Sequence, residues 1–282
     1  MKPGRGSQTA VLVCMGRAIA HGTTTESRFS DPTALALLPD DARARVERIR
    51  AGAEPNGLRE RLGHTYLESQ SKVMVARTVA IDDAVREAPS PQLVILGAGL
   101  DGRAWRMAEL SETTVFEVDH PDTQREKRNR IAALTQAARD IRFTPVDFTR
   151  DNLDDALASA GHDPALPTTW LWEGVVMYLT PADIEATLYV IRRRSADGSR
   201  LIIVYHSPAL MRRLIGLFVR RLGEPLRSAF TADEMRALLA RYGFGVVSDA
   251  DMPTIGVAMS PEIAEGTRRM KHLRIAIADR IV

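Results

Sequence analysis

A glycine-rich turn is the first feature of this sequence whose residue types and spacing could do chemistry. Residues 93–96 are apolar, and residues 97–102 read GAGLDG, which has the spacing G-x-G-x-x-G. Glycine lacks a Cβ, so a ligand can approach the backbone amide groups closely. This spacing is typical of nicotinamide and flavin dinucleotide sites. The glycines alone do not identify the ligand, so the choice depends on the residues that follow the other apolar runs.

Carboxylates follow the next three apolar runs. Asp119 follows the second run, Asp147 and Phe148 follow the third, and Glu173 follows the fourth. Ligands of parallel sheets bind at the carboxyl ends of the strands. We therefore expect these carboxylates to lie close to the glycine turn.

The succession of carboxylates favours a cofactor without phosphate. A dinucleotide carries a pyrophosphate, which several carboxylates would repel. S-adenosylmethionine has none, and its ribose diol suits Asp119, its adenine amino group suits Asp147, and its sulfonium and ammonium groups favour nearby acids. The sequence therefore predicts S-adenosylmethionine. The alternatives are an NAD(P)-dependent oxidoreductase, for which no Y-x-x-x-K motif is present, and a non-catalytic binding protein with the same fold.

Alternating strands and helices must position these residues. Two helices have clear start signals, one at Thr180, Pro181 and Asp183 and the other at Thr231 and Glu234. The pattern predicts an α/β fold with an open parallel sheet and helices on both faces. The predicted strands cover residues 93–96, 114–118, 141–146, 169–172 and 201–205.

The N-terminal part of the chain has a helical pattern and no alternating strand. The sequence APSP at residues 88–91 is the clearest boundary, so we expect a helical cap over residues 1–90 and a cofactor-binding domain over residues 91–282. Asp31 and Pro32 have the pattern of a helix start. The apolar run near the N terminus is interrupted by Arg17 and is interpreted as an amphipathic helix rather than a signal peptide.

Composition narrows the classes of partner. The chain has 282 residues, a formal net charge of +2 and only 5% aromatic residues, which argues against a nucleic-acid-binding surface. No apolar run approaches the roughly 20 residues that cross a bilayer, so we expect a cytoplasmic protein without a membrane partner. Cys14 is the only cysteine, which excludes an internal disulfide. No metal site is predicted.

Four motifs together resemble those of a known family. LGAGLDGRAWRM, VFEVDHP, VDF and WLWEGVVMYLT are similar to successive motifs of the leucine carboxyl methyltransferase family, which includes bacterial polyketide O-methyltransferases. The resemblance runs from about Arg17 to Phe244. It implies a Rossmann-like class I methyltransferase fold with a mainly parallel seven-stranded sheet, an N-terminal helical cap over the site, and S-adenosylmethionine as methyl donor.

The resemblance also implies roles for individual residues. The family often has threonine or serine at the position of Gly102, which here completes the apparent dinucleotide spacing. Without the resemblance, Arg77 would be interpreted as a helix residue that faces Asp82 or Asp83. The implied cofactor-binding residues are Gly97 and Gly99 in the turn, Asp119 at the ribose, Asp147 and Phe148 beside adenine, Glu173 near the methionine part, Arg77 at the cofactor carboxylate, and Arg17 as a further basic residue.

The predicted reaction is transfer of a methyl group to an oxygen of a small molecule or peptide. A carboxylate acceptor, which we prefer, is already ionised at pH 7 and needs only a cation such as Arg77 or Arg17 to orient it. A hydroxyl acceptor needs a base, for which His206 is the candidate, and Tyr178 is a candidate substrate contact at the rim. We expect residues 207–230 to form part of the substrate pocket.

Overall fold

A seven-stranded sheet lies at the centre of the computed structural model, which describes residues 7–148, 150–208 and 226–281. The strands are β1 (Gln92–Leu96), β2 (Thr114–Asp119), β3 (Asp140–Pro145), β4 (Thr168–Trp172), β5 (Arg200–His206), β6 (Phe244–Asp251) and β7 (Leu273–Arg280). Their order in the sheet is β3-β2-β1-β4-β5-β7-β6. The first five strands pair in parallel, and β7 is antiparallel to both of its neighbours. This confirms the predicted mainly parallel sheet and the five predicted strands.

Apolar side chains cover both faces of the sheet. Successive residues of a strand point to opposite faces, so Leu93 and Ile95 of β1 join one core while Val94 and Leu96 join the other. A continuous apolar run such as that of β1 is what a parallel strand buried on both faces requires. Ile81, from the helix Leu58–Glu87, belongs to the first core, and Ile184, from the helix Pro181–Arg193, belongs to the second, which confirms the predicted helices on both faces.

The helices begin and end largely where the sequence signals place them. Thr180 and Asp183 form a capping box at the start of one helix, and Thr231 and Glu234 form another. The α-helices are α1 (Gln8–Ala20), α2 (Ala34–Leu37), α3 (Asp40–Arg50), α4 (Leu58–Glu87), α5 (Arg103–Arg106), α6 (Pro121–Arg128), α7 (Leu153–Ser159), α8 (Pro181–Arg193), α9 (Ala232–Arg241), α10 (Met252–Val257) and α11 (Pro261–Thr267). Short 3₁₀ helices cover Ala108–Leu110, Ile131–Ala133 and Val176–Tyr178.

The first three helices form a layer with its own apolar core. Buried residues of α1, α2 and α3 pack together with Leu67 of α4 and with Leu100 from the glycine turn. The second half of α4 packs instead on the sheet, through Val73, Val79 and Ile81. Helix α4 therefore connects the N-terminal layer to the sheet that carries the predicted site.

The helix start predicted at Asp31 is wrong, because α2 begins at Ala34 and the Asp31 carboxylate binds the Arg17 guanidinium instead of capping a helix. Of the predicted pocket segment 207–230, residues 209–225 lie outside the described residues. In the described part of the chain, no helix is long and apolar enough to cross a membrane.

Candidate active site at the carboxyl ends of the strands

A cavity of about 330 Å³ lies where β1, β2 and β4 end, with α1 along one side. Apolar groups such as Val13, Ile95 and Leu179 form part of its wall. The position agrees with the rule that ligands of open parallel sheets bind at the carboxyl ends of the strands. Of the predicted site residues, the cavity is lined by Arg17, Arg77, Gly97, Gly99, Asp119, Glu173 and Tyr178.

Two glycines shape the turn after β1. Gly97 has a φ of 72°, and a Cβ at this position would lie 2.0 Å from a methyl carbon of Val175. Gly99 has a φ of 51°. Residues other than glycine rarely adopt this left-handed backbone conformation. The backbone amides of Gly97 and Ala98 both donate to the Val118 carbonyl, at 2.7 and 3.0 Å, so the turn is held firmly beside the end of β2.

The third glycine of the apparent dinucleotide spacing has a different role. Gly102 does not line the cavity, and a Cβ there would lie 2.0 Å from the Thr33 hydroxyl oxygen. That hydroxyl donates to the Asp31 carboxylate at 2.7 Å. Gly102 is therefore required by the packing of the N-terminal layer, where Thr33 occupies the space that a side chain at position 102 would need.

Asp119 is oriented by backbone amides and keeps acceptor capacity for a ligand. One carboxylate oxygen accepts a hydrogen bond from the Gly99 amide, and the other accepts one from the His120 amide at 2.6 Å. Burial raises the pKa of Asp119, and the two amide hydrogen bonds oppose that increase. A carboxylate has about four lone-pair sites. The two that remain can accept from both hydroxyls of a ribose.

The Glu173 carboxylate lies between two guanidinium groups. The Arg77 Nε lies 2.7 Å from one carboxylate oxygen, and the Arg103 Nη1 donates to the other at 3.0 Å. Burial alone would raise the pKa of Glu173, but Arg77 and Arg103 outweigh it and hold the pKa below its ordinary value. The alternative partners Asp82 and Asp83 for Arg77 are therefore wrong, because Arg77 reaches across to the residue that follows β4.

These groups belong to a larger buried ionic network. Arg17 pairs with Asp31 at 2.8 Å and donates to the Leu100 carbonyl at 2.6 Å, which ties α1 to the glycine turn. Burial and the neighbouring cations act in opposite directions on the pKa of Asp101, and the cations lower it to about 2. The network joins Arg17, Arg77, Arg103 and Arg106 to Asp31, Asp82, Asp101 and Glu173.

The network has equal numbers of guanidinium groups and carboxylates, so its formal charges cancel. Sequence reasoning missed Arg103, Arg106 and Asp82 as members of this network. The sequence signal that could have identified them is the group of charged residues Asp101, Arg103 and Arg106, which follows closely after the apolar run 93–96.

Three predicted residues do not line the cavity. The Asp147 amide donates to the Asp151 carboxylate at 2.8 Å, and Phe148 packs partly buried against the core on one face of the sheet. His206 ends β5, and its ring lies 5.3 Å from the ring of His272. The adenine contacts of Asp147 and Phe148, and a catalytic role for His206, stay predictions.

The lining of the cavity fits S-adenosylmethionine. The volume of the cavity, about 330 Å³, lies at the lower end of the range for small-molecule sites. The glycine turn allows close approach, Asp119 can bind a ribose diol, and Glu173 with Arg77 offers opposite charges for an amino-acid end. The fold and site are those of a class I S-adenosylmethionine-dependent methyltransferase.

The chain belongs to the leucine carboxyl methyltransferase family, whose sequence profile matches residues 10–192. A Streptomyces coelicolor protein provisionally assigned as an S-adenosyl-L-methionine-dependent methyltransferase is 34% identical over 220 residues, which cover 73% of this chain and 71% of that protein. A similarly assigned protein of Mycobacterium sp. strain JLS is 34% identical over 220 residues, which cover 78% and 72%. S-adenosylmethionine is therefore the cofactor, and the oxidoreductase alternative is wrong.

Solved structures share the fold at low sequence identity. A DUF574 family protein of Streptomyces avermitilis has a TM-score of 0.62 and 14% identity, and the match covers 98% of both chains. A Thermobifida fusca protein provisionally assigned as a methyltransferase has a TM-score of 0.57 and 16% identity, and the match covers 100% of this chain and 97% of that one. At these identities the likeness concerns the fold alone.

Proposed function

We propose that this methyltransferase transfers its methyl group to a carboxylate oxygen of a small molecule or peptide. The observation that carries the proposal is the set of ionisable side chains on the cavity wall. The described lining residues include three arginines, three carboxylates and no histidine. Arg17 pairs with Asp31 and Arg77 pairs with Glu173, whereas Arg227 is the lining arginine without a carboxylate partner among the described residues. A carboxylate is ionised at pH 7 and needs cationic surroundings but no general base.

A hydroxyl acceptor would need a base that the described lining does not offer. The Asp101 and Glu173 carboxylates are each bound by guanidinium groups, and the Asp119 carboxylate is held by two backbone amides and is assigned to the ribose. His206 does not line the cavity. A hydroxyl has a pKa far above 7, so without a base it reacts slowly as a nucleophile.

The residues of the site suit an in-line displacement. When bound, S-adenosylmethionine supplies a methyl group activated by its sulfonium. Asp119 binds the ribose hydroxyls, while Glu173 and Arg77 bind the ammonium and carboxylate of the amino-acid end. The acceptor oxygen must lie opposite the sulfur. As the new O–CH₃ bond forms, the S–CH₃ bond breaks and its electron pair goes to sulfur, and a carboxylate acceptor loses no proton.

The N-terminal helices serve as the cap in this proposal. Helix α1 lines the cavity through Ala10, Val13 and Arg17, and Arg17 binds the Leu100 carbonyl of the turn. Such a cover excludes water from the reacting groups. We propose cytoplasmic action on an acceptor that is neither nucleic acid nor membrane, in keeping with the net charge of +2 and the 5% aromatic content.

A screen with tritiated methyl donor tests the acceptor class. We expect label on small carboxylic acids or peptide C-termini rather than on phenols, with a rate that is flat from roughly pH 6 to pH 9. His206→Ala should keep the rate within about tenfold. Labelling of hydroxyls alone, with a rise near pH 6.5 and a loss of roughly a hundredfold in His206→Ala, would overturn the proposal. Cofactor binding without any transfer would favour the non-catalytic alternative.

A further inference from the structure

Arg227 is fixed beside the cavity by hydrogen bonds to the turn that follows Glu173. Its backbone amide donates to the Met177 carbonyl at 2.7 Å. The neighbouring Ser228 is buried, and its hydroxyl donates to the Val176 carbonyl at 2.7 Å. The same turn carries Tyr178, which also lines the cavity. The backbone of Arg227 is therefore held at the site, while its side chain is exposed to solvent.

Arg227 differs in charge environment from the other two arginines of the cavity wall. Arg17 is paired with Asp31, and Arg77 is paired with Glu173. In the part of the chain that the structure describes, no carboxylate lies within ion-pair distance of the Arg227 guanidinium. Arg227 therefore lies outside the balanced ionic network and is the cavity-wall arginine without a carboxylate partner among the described residues.

We propose that Arg227 binds the anionic group of the methyl acceptor and thereby selects anionic over neutral acceptors. The inference rests on the proposed function, because it assigns a binding residue for that carboxylate. A guanidinium donates from several N–H groups in a fixed plane, which suits a carboxylate. It can hold one carboxylate oxygen and leave the other to attack the methyl carbon.

Matched anionic and neutral probes test the binding role directly. The complex with S-adenosylhomocysteine would be titrated with benzoate and hexanoate, and with benzamide and hexanamide, by ligand-observed NMR. In Arg227→Gln we expect about tenfold weaker carboxylate binding, with unchanged amide binding. Arg227→Lys should retain part of the affinity. Arg236→Gln is the matched control, because Arg236 is an exposed arginine that does not line the cavity.

Three further measurements separate a binding role from a structural one. In Arg227→Gln the affinity for S-adenosylhomocysteine and the melting temperature should match the parent protein. For an acceptor found in the tritium screen, KM should rise about tenfold while kcat changes little, as expected when an interaction made equally in the ground state and the transition state is lost. A merely structural role would instead lower the melting temperature or the cofactor affinity.

The two proposals fail in different ways. Equal carboxylate binding in the parent protein and Arg227→Gln would overturn the role of Arg227, as would the lack of any preference for carboxylate over amide in the parent. Carboxylate methylation with an unchanged KM in Arg227→Gln would also overturn it and leave the proposed function intact. Transfer restricted to hydroxyl acceptors would overturn the proposed function itself.

Discussion

Replacing Asp119 by alanine tests the cofactor site most directly. The carboxylate is half-buried at the end of β2, with two backbone amides as its hydrogen-bond donors in the site. In the complex it would accept from both ribose hydroxyls. Alanine removes both of these charge-assisted hydrogen bonds and leaves the ribose hydroxyls without an acceptor on β2.

The expected loss of cofactor affinity is about 2 to 3 kcal/mol, because a hydrogen bond to a charged group contributes roughly 1.5 kcal/mol or more and part of each is recovered by water. This corresponds to a roughly 30- to 150-fold higher Kd. The loss should exceed that of Asp147→Ala, in which at most one amino-group hydrogen bond disappears. The fold should survive, since Asp119 contacts the turn and not the core.

Calorimetric titration with S-adenosylmethionine measures the effect, and thermal unfolding checks the fold. Asp140→Ala is the matched control. Asp140 begins the neighbouring strand β3, so it lies at the amino ends of the strands, away from the cavity at their carboxyl ends. Burial raises the pKa of Asp119, so the parent protein should lose affinity on acidification at a higher pH than an ordinary aspartate would cause. An unchanged Kd in folded Asp119→Ala would refute the ribose assignment.

Other substitutions test the ionic network and the packing around it. Glu173→Gln should lower the free energy of unfolding by about 3 kcal/mol in urea titration, because the buried Arg77 loses its paired carboxylate and Arg103 loses one of its three; an unchanged value would contradict the network. Gly102→Ala should cost roughly 1 to 3 kcal/mol, and adding Thr33→Ala should recover part of it if the contact with the hydroxyl is the cause. The pKa of Asp101 is lowered to about 2 from an ordinary value of 3.8, so the stability it contributes is present above pH 4 and is lost as the pH falls towards 2. Asp101→Asn should show a shallower acid unfolding curve, and an identical curve would count against the pairing.

Local patterns in the sequence predicted the five parallel strands and the two capped helices. The strands are continuous apolar runs because helices cover both of their faces, and each helix start is marked by a hydroxyl and an acid three positions apart. The same local patterns did not predict the strands β6 and β7. Polar residues interrupt the apolar pattern there: Ser248 of the edge strand β6 is exposed, and Asp249 of β6 pairs with Arg274 of β7 at 2.9 Å.

The sequence also predicted part of the candidate site, because position after a parallel strand can be identified from local patterns. Gly97, Asp119 and Glu173 directly follow parallel strands, and the carboxyl ends of parallel strands meet at one edge of the sheet. Position after a strand was not sufficient for Asp147 and His206, which do not line the cavity. The loop that follows a strand determines where the side chain points, and short-range patterns do not specify that direction.

The sequence by itself determined the features that depend on neighbours along the chain: the strands, the helix caps, the glycine turn and the order of the carboxylates. Only the tertiary structure decided which charges pair. Arg77 binds Glu173 from far along the chain, Arg17 binds Asp31 and the turn, and Arg227 has no such partner among the described residues. Ion pairing depends on distance in space and on burial, which strengthens each charge interaction and penalises each unpaired charge. These quantities exist only once the helices have packed on the sheet.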